Sequence, residues 1–154
     1  MKYKWIDYSG KYKETVESWL DDTAKRFTGC SDGFDDYYQY WINDKETKLG
    51  ENFWVKIILL ENKPIGVVSL GLSDGAYVIS EFLICPDMRG KGFGSFILNE
   101  LIIRSRNIIG TEIKTVTAVI FPDNIASQKT FTKAGFILQS VHPDGDAFNY
   151  VYLK

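Results

Sequence analysis

Cysteine is scarce. Cys30 and Cys85 are the only two in 154 residues and fall at no metal-ligand spacing, so neither a disulfide framework nor a metal site is expected. Positive charge is not in excess either. Eighteen Lys and Arg stand against twenty Asp and Glu, a formal net charge of −2. With a pI near 5.4, no general positive field would hold the chain on a phosphate backbone, which argues against a nucleic-acid partner. No apolar run approaches the roughly 20 residues of a membrane span. The opening stretch Met1–Trp19 has no apolar segment of signal-peptide length, so a soluble, cytoplasmic protein without a membrane partner is expected. Repeats, low-complexity tracts and linkers are missing as well. What is present suffices for a core: 45% hydrophobic residues against 25% charged, over a length that reads as one domain, residues 1–154.

Apolar spacing divides the chain into elements. Tyr3–Tyr8 reads as an edge strand, Tyr12–Phe27 as a helix with Val16, Leu20 and Ala24 on one face, and Asp32–Asp44 as a second helix. Phe53–Leu72 holds two β-rich runs split by Glu61-Asn62-Lys63-Pro64, a turn composition that predicts an antiparallel hairpin. Ala76–Pro86 follows as a third long strand, then a helix over Gly94–Arg106 and a strand over Glu112–Phe121. A helix over Asn124–Ala134 comes next, and two strands, Gly135–Val141 and Ala147–Leu153, close the chain around the polar turn His142–Asp146. This order predicts an α/β fold with a mixed, mostly antiparallel central sheet and helices on both faces.

Between the third long strand and its helix lies Cys85-Pro-Asp-Met-Arg-Gly-Lys-Gly-Phe-Gly-Ser-Phe96. Backbone N–H groups at a helix start have no intrahelical partner and carry the positive end of the helix dipole, which suits phosphate oxygens. Gly90, Gly92 and Gly94 let the backbone come close to a ligand, and Arg89 and Lys91 add charge. The spacing G-x-G-x-G after an antiparallel hairpin fits neither the triphosphate loop nor the dinucleotide fingerprint.

These residues resemble the GCN5-related N-acetyltransferase family, whose members move an acetyl group from acetyl-coenzyme A to an amine. The family's pyrophosphate motif, Q/R-x-x-G-x-G/A, is matched by Arg89-Gly90-Lys91-Gly92-Phe93-Gly94. Its second coenzyme segment, an Asn that opens a helix ending in Gly-Phe, is matched by Asn124 to Phe136. The resemblance implies the acyl-CoA N-acyltransferase fold, acetyl-CoA as donor and no metal. The amides from Arg89 to Ser95 would hold the pyrophosphate, which brings Phe93 and Ser95 into the coenzyme set. The pantetheine arm would lie along Leu83 and Ile84, with a main-chain amide there polarising the thioester carbonyl. Asn124 would cap its helix and reach the arm, with Ser127 one turn on, or would act as a helix cap alone. Phe131 stands where many members have a Tyr that protonates the leaving thiolate.

The chemistry needs a base, because an alkyl amine of pKa ~10.4 arrives as an ammonium. Glu81 is the candidate: on a central strand among apolar neighbours, burial would raise its pKa toward a useful range. The alternative is an exposed or ion-paired carboxylate at a sheet face. With Phe131 in place of Tyr, Tyr150 or water would be the acid, or the thiolate, of pKa roughly 8.5, would leave unaided. His142, the single histidine, sits in the turn whose carboxylates could attract a cation.

The acceptor is expected to meet the aromatic and acidic second helix, with Asp35, Tyr38 and Trp41 binding an ammonium by charge and cation–π attraction. A polyamine or an aminoglycoside would fit such a surface. The other readings of the same residues are that the aromatics pack and the acids face solvent, that a protein amino terminus or lysine is the acceptor, and that the chain is a non-catalytic acyl-CoA-binding module. Similar proteins are often dimers, which makes a homodimer one of the expected states.

Overall fold

The computed structural model describes residues 2–43, 52–73 and 75–154. The strands are β1 (Tyr3–Asp7), β2 (Phe53–Leu60), β3 (Lys63–Ser73), β4 (Ala76–Ile84), β5 (Thr115–Ile120), β6 (Ile137–Val141) and β7 (Phe148–Leu153). They form one sheet in the order β1-β2-β3-β4-β5-β7-β6. Every neighbouring pair is antiparallel except β4 and β5. The mixed, mostly antiparallel sheet expected from the element order is therefore present. The hairpin between β2 and β3 turns on Glu61 and Asn62, at φ 48° and 66°. Two left-handed residues match the twist of antiparallel strands. Lys63 and Pro64 thus belong to β3 rather than to the turn, and Pro64, which has no N–H to give, sits opposite Leu59 beside a register shift.

Both sheet faces are covered, as consecutive apolar residues in β2 and β3 require. Ile58, Val68, Leu70, Ile79, Val116 and Ala118 face α4 (Phe93–Ile103) and α6 (Ile125–Lys133) in the main core. Val55, Ile57, Leu59, Val67 and Leu83 point the other way, into a second core under α1 (Lys13–Glu17), α2 (Asp22–Phe27) and α3 (Phe34–Ile42).

Three helical expectations change. Tyr12–Phe27 is not one helix: α1 ends at Glu17, Trp19 and Leu20 drop into the second core, and Asp21 starts α2 by accepting from the Ala24 N–H at 2.8 Å. A side chain that caps a new helix competes with continuation of the old one. The segment Asp32–Asp44 is helical over α3, and its last residue lies outside the described residues. Gly94–Arg106 breaks at Arg104, after which α5 (Ser105–Ile109) runs on separately. The buried Ser105 hydroxyl there accepts from the Ile113 N–H at 2.8 Å.

Helix α4 sits close to the sheet and to α6 because Gly94 has no side chain. A Cβ there would lie 2.7 Å from Thr130 Cγ2 and 3.0 Å from Ile84 Cδ1. Gly94→Val is expected to cost about 1–3 kcal/mol through overpacking, measured by urea denaturation. An unchanged midpoint would show that α4 does not depend on this contact.

Candidate active site

The parallel ladder of β4 and β5 is short: Tyr77, Val78 and Ile79 pair with Val116, Thr117 and Ala118, and then the strands part. On its other edge β4 stays with β3 as far as Ile84. Cys85 N donates to Ile65 O at 2.9 Å. Antiparallel alternation then directs the backbone polar groups of Leu83 and Glu81 toward β3, and those of Phe82 and Ile84 toward the gap. The backbone edge expected at Leu83 and Ile84 is therefore carried by Phe82 and Ile84, while the Leu83 side chain packs in the second core. Leu83 still lines the opening with its neighbours.

The gap is a cleft of about 540 Å³, walled by β4, β5, α6 and α2 and reaching the glycine loop. Gly90 and Gly92 have φ of 75° and 85°, in the left-handed region where glycine is at ease. Gly92 is the N-cap of α4 and no side chain caps it. The first-turn N–H groups of an uncapped helix are unpaired donors. A Cβ on Gly90 would meet nothing within 4 Å, so the loop is open to a ligand. Ser95 lines the cleft and donates its hydroxyl to Gly92 O at 3.2 Å. Phe93 packs against the main core instead of lining the cleft.

The two loop cations depart from expectation. Arg89 has its guanidinium engaged elsewhere: Nε donates to Ile84 O at 3.0 Å, and the other nitrogens donate to Asp21 at 2.6 Å and to Trp19 O at 2.9 Å. It ties the loop to the start of α2. Lys91 is exposed and lines no part of the cleft. Positive charge comes instead from α6, where Lys129 and Lys133 line the cleft and Lys133 Nζ lies 3.5 Å from a Cβ built on Gly92. Asn124 caps α6, its side-chain oxygen accepting from Ser127 N at 3.2 Å, and both residues line the cleft. Phe131 lines it too, edge-on to Phe82 and Phe136.

Glu81 opens onto this cleft. Its Oε1 accepts from the Gly29 N–H at 2.7 Å, and no Lys or Arg pairs with it among the described residues. Burial pushes its pKa up to about 7 against the opposing pull of the Gly29 bond. The ion-paired alternative is thereby not met. Nearby, the Cys30 thiol is pushed up to about 12, by burial first and then by the Glu81 carboxylate.

Other expected residues lie elsewhere. Tyr150 is 6% exposed, opposite Ala118 within the main core, and does not line the cleft. Asp35 accepts from the Tyr8 hydroxyl at 2.8 Å, Tyr38 stacks edge-on to Tyr8 at 4.9 Å, and Trp41 packs on the second core. None of the three reaches the cleft. Packing claims these aromatics. The α3 residue that turns toward Glu81 is Tyr37, whose hydroxyl lies 2.8 Å from that of Ser69. Its signal in the sequence was indirect: Ser69 and Ser80 are hydroxyls set in apolar strands. His142, Asp144 and Asp146 gather in the β6–β7 turn with ligand atoms within 4.8 Å of one another, all exposed. No helix among the described residues is long and apolar enough to cross a membrane.

A model of the acetyltransferase (GNAT) family matches residues 14–136. Comparison with curated protein sequences returns no match. Among solved structures, an aminoglycoside acetyltransferase AAC(6')-Ib in complex with coenzyme A superposes with a TM-score of 0.75 at 20% identity, covering 99% of this chain and 95% of that one. A spermidine N-acetyltransferase from Vibrio cholerae, in complex with CoA and spermine, gives 0.72 at 14% identity and covers 98% and 95%. The Campylobacter jejuni N-acetyltransferase PseH gives 0.67 at 13% identity over 99% and 98%. At such identities the likeness speaks for the fold.

The Arg89 fork makes its own prediction. Arg89→Lys keeps the charge but cannot donate to three acceptors in that geometry. With the guanidinium part-exposed, a loss of about 1–2 kcal/mol is expected, a fall of roughly 2–8 °C in the thermal midpoint. A midpoint equal to that of the native chain would remove Arg89 from its bracing role.

Proposed function

Since this chain belongs to the acetyltransferase (GNAT) family and is an acetyl-CoA-dependent N-acetyltransferase, we propose that it acetylates a small cationic amine by direct attack in a ternary complex. The observation that carries this reading is Glu81: a half-buried carboxylate on the cleft, without a cationic partner among the described residues, with its pKa raised to about 7. A base poised near the working pH is what deprotonation of an ammonium requires.

The residues fit the donor. The uncapped start of α4 and the open glycines Gly90 and Gly92 suit a pyrophosphate, with Lys133 supplying the nearby charge. The free backbone groups of Phe82 and the Ile84 N–H suit an amide-bearing arm, the Ile84 carbonyl being taken by Arg89, and Asn124 keeps its side-chain NH₂ for the same arm, since only its oxygen is used in the cap. When bound, acetyl-CoA supplies the acetyl group and a thiolate leaving group.

Glu81 would take the ammonium proton on Oε2, because Oε1 already accepts from Gly29. The Phe82 N–H, aimed into the gap, would donate to the thioester carbonyl oxygen. Cys30, with its thiol pushed up to about 12, is unsuited to carry an acetyl group covalently, which favours direct attack. Neither Phe131 nor the core residue Tyr150 offers a proton to the leaving thiolate. At roughly pKa 8.5 the thiolate leaves unaided, and the second proton, shed by the nitrogen as the amide forms, goes to the thiolate or to water. The acceptor class is inferred from two solved neighbours, one an aminoglycoside acetyltransferase and one a spermidine N-acetyltransferase. The exposed Asp144 and Asp146 of the β6–β7 turn would add attraction for a cation.

The test is free-thiol release from acetyl-CoA with polyamines, aminoglycosides and short peptides, beside a calorimetric titration of the coenzyme. Amine-dependent release is expected with one of the first two classes. Release with peptides alone would move the acceptor to proteins, and binding without release would leave an acyl-CoA-binding module. Gly92→Val should weaken coenzyme binding sharply, through a branched side chain at φ 85° in the loop. Normal affinity in a folded variant would remove the loop from the site. Glu81 is protonated below a pH of about 7 and ionised above it, so kcat/KM should rise with pH through that region and then level. Glu81→Gln should flatten the limb and lower kcat/KM by about 10²–10⁴. A Gln variant with native rate and profile would exclude Glu81 as the base.

A further inference from the structure

Two serines interrupt the apolar runs of β3 and β4, and the structure brings them to the same place. Ser69 on β3 is 0% exposed, and its hydroxyl has Tyr37 Oη as a partner at 2.8 Å. A buried hydroxyl is costly without such a partner. Tyr37 reaches it from α3 through the second core, its ring against Phe34 and Phe53. The Ser80 hydroxyl is a second polar neighbour of the same phenol, and the Glu81 carboxylate is close by.

At this spot β4 carries one residue more than β3. Ser69 is opposite Glu81 and Leu70 is opposite Ile79, so Ser80 has no partner. Such a bulge re-aims the side chains that follow it. Because side chains alternate between faces, a slip of one residue would turn Glu81 from one face to the other. The bulge also falls where β4 leaves β5, immediately after the pair Ile79 and Ala118. The backbone beyond it carries the free groups of Phe82 and the Ile84 N–H.

We propose that Tyr37 is a positioning residue for acetyl transfer: by bonding to Ser69 and facing Ser80, its hydroxyl fixes the register of the β4 bulge and so the aim of the Glu81 carboxylate into the cleft. The proposal rests on the reading of Glu81 as the base. Tyr37 does not line the cleft and touches no reacting atom. It acts through the strand. Burial holds its phenol above the ordinary tyrosine range, so the hydroxyl stays protonated while Glu81 titrates. The pyrophosphate end of the coenzyme site, by contrast, is set by the glycine loop and α6, beyond the bulge and the arm's edge at Phe82, so coenzyme binding should fall far less than the chemical step.

The experiment compares Tyr37→Phe, Ser69→Ala and the double variant with the native chain, using thiol release from acetyl-CoA with the best amine of the panel. It is paired with hydrogen exchange at the Ser80 and Glu81 amides. Tyr37→Phe keeps the ring and removes the hydroxyl. Its kcat should fall roughly tenfold to a hundredfold, the scale of a reacting group displaced by about 1 Å, while KM for acetyl-CoA changes less than about twofold. Exchange at Ser80 and Glu81 should quicken, with α4 amides unaffected. The double variant should be no slower than Tyr37→Phe, since residues acting as one unit are not additive. A folded Tyr37→Phe with native kcat and native exchange overturns the proposal. So does a double variant whose loss is the product of the single losses. Failure of the native chain to release thiol with any amine would sink the transferase chemistry alone, and the exchange at Ser80 and Glu81 would still decide whether Tyr37 fixes the bulge.

Discussion

The parting of β4 from β5 is the constraint on which the rest of the structure depends. Parallel pairing ends at Ile79 and Ala118, yet β4 runs on to Ile84 along β3. The backbone groups of Phe82 and the Ile84 N–H are therefore directed into the gap without a strand to meet them, while the Ile84 carbonyl accepts from Arg89. A polar group left unpaired away from water costs about 1–3 kcal/mol, so the fold carries a strand edge that must be completed by solvent or by a ligand. The parting also leads the chain from Ile84 into the glycine loop at the mouth of the gap, where α4 begins. One geometric event thus creates both the trough and its anion-binding end.

Charge is distributed to match. Arg89, Arg26 and Lys56 are each committed to a carboxylate, with Asp21, Asp123 and Asp7 as partners. Lys133 remains beside Gly92, and Glu81 remains in the cleft without a cation among the described residues. The cleft is therefore positive where an anion would sit and carries a titrating carboxylate farther along β4. At Glu81 two effects oppose each other. Burial raises the pKa and the Gly29 hydrogen bond lowers it, and burial wins, since the carboxylate reaches about 7. Gly29 belongs to the connection between α2 and α3, so the packing of the amino-terminal helices reaches the carboxylate directly. Arg89 supplies a second link, from the start of α2 to the end of β4.

Much of this was legible in the sequence because it is local. The consecutive apolar residues in Phe53–Leu60 and Lys63–Ser73 require a hairpin buried on two faces. The apolar run Phe93–Ile103 requires a buried helix. Glycines at 90 and 92 between a strand and that helix require an open, donor-rich turn. The helix cap at Asn124 follows from one residue and its neighbours. Glu81, flanked by Ile79, Phe82 and Leu83, could be expected to lose water, and it does.

Tertiary structure alone decided what depends on which face meets which. An arginine in a phosphate-binding motif looks free until Asp21, Trp19 O and Ile84 O arrive from distant parts of the chain to take its guanidinium. Tyr38 and Trp41 have the chemistry of a cation site, but the stop after Glu17 and the restart at Asp22 set α3 so that they pack, and Tyr37 faces the sheet instead. Tyr150 alternates into the main core because β7 pairs with β5. The bulge at Ser80 exists only in the register between β3 and β4. The sequence by itself determined the elements and the glycine loop, since those follow from torsions and periodicity within a few residues. The working faces of those elements waited on long-range packing, which no local pattern encodes.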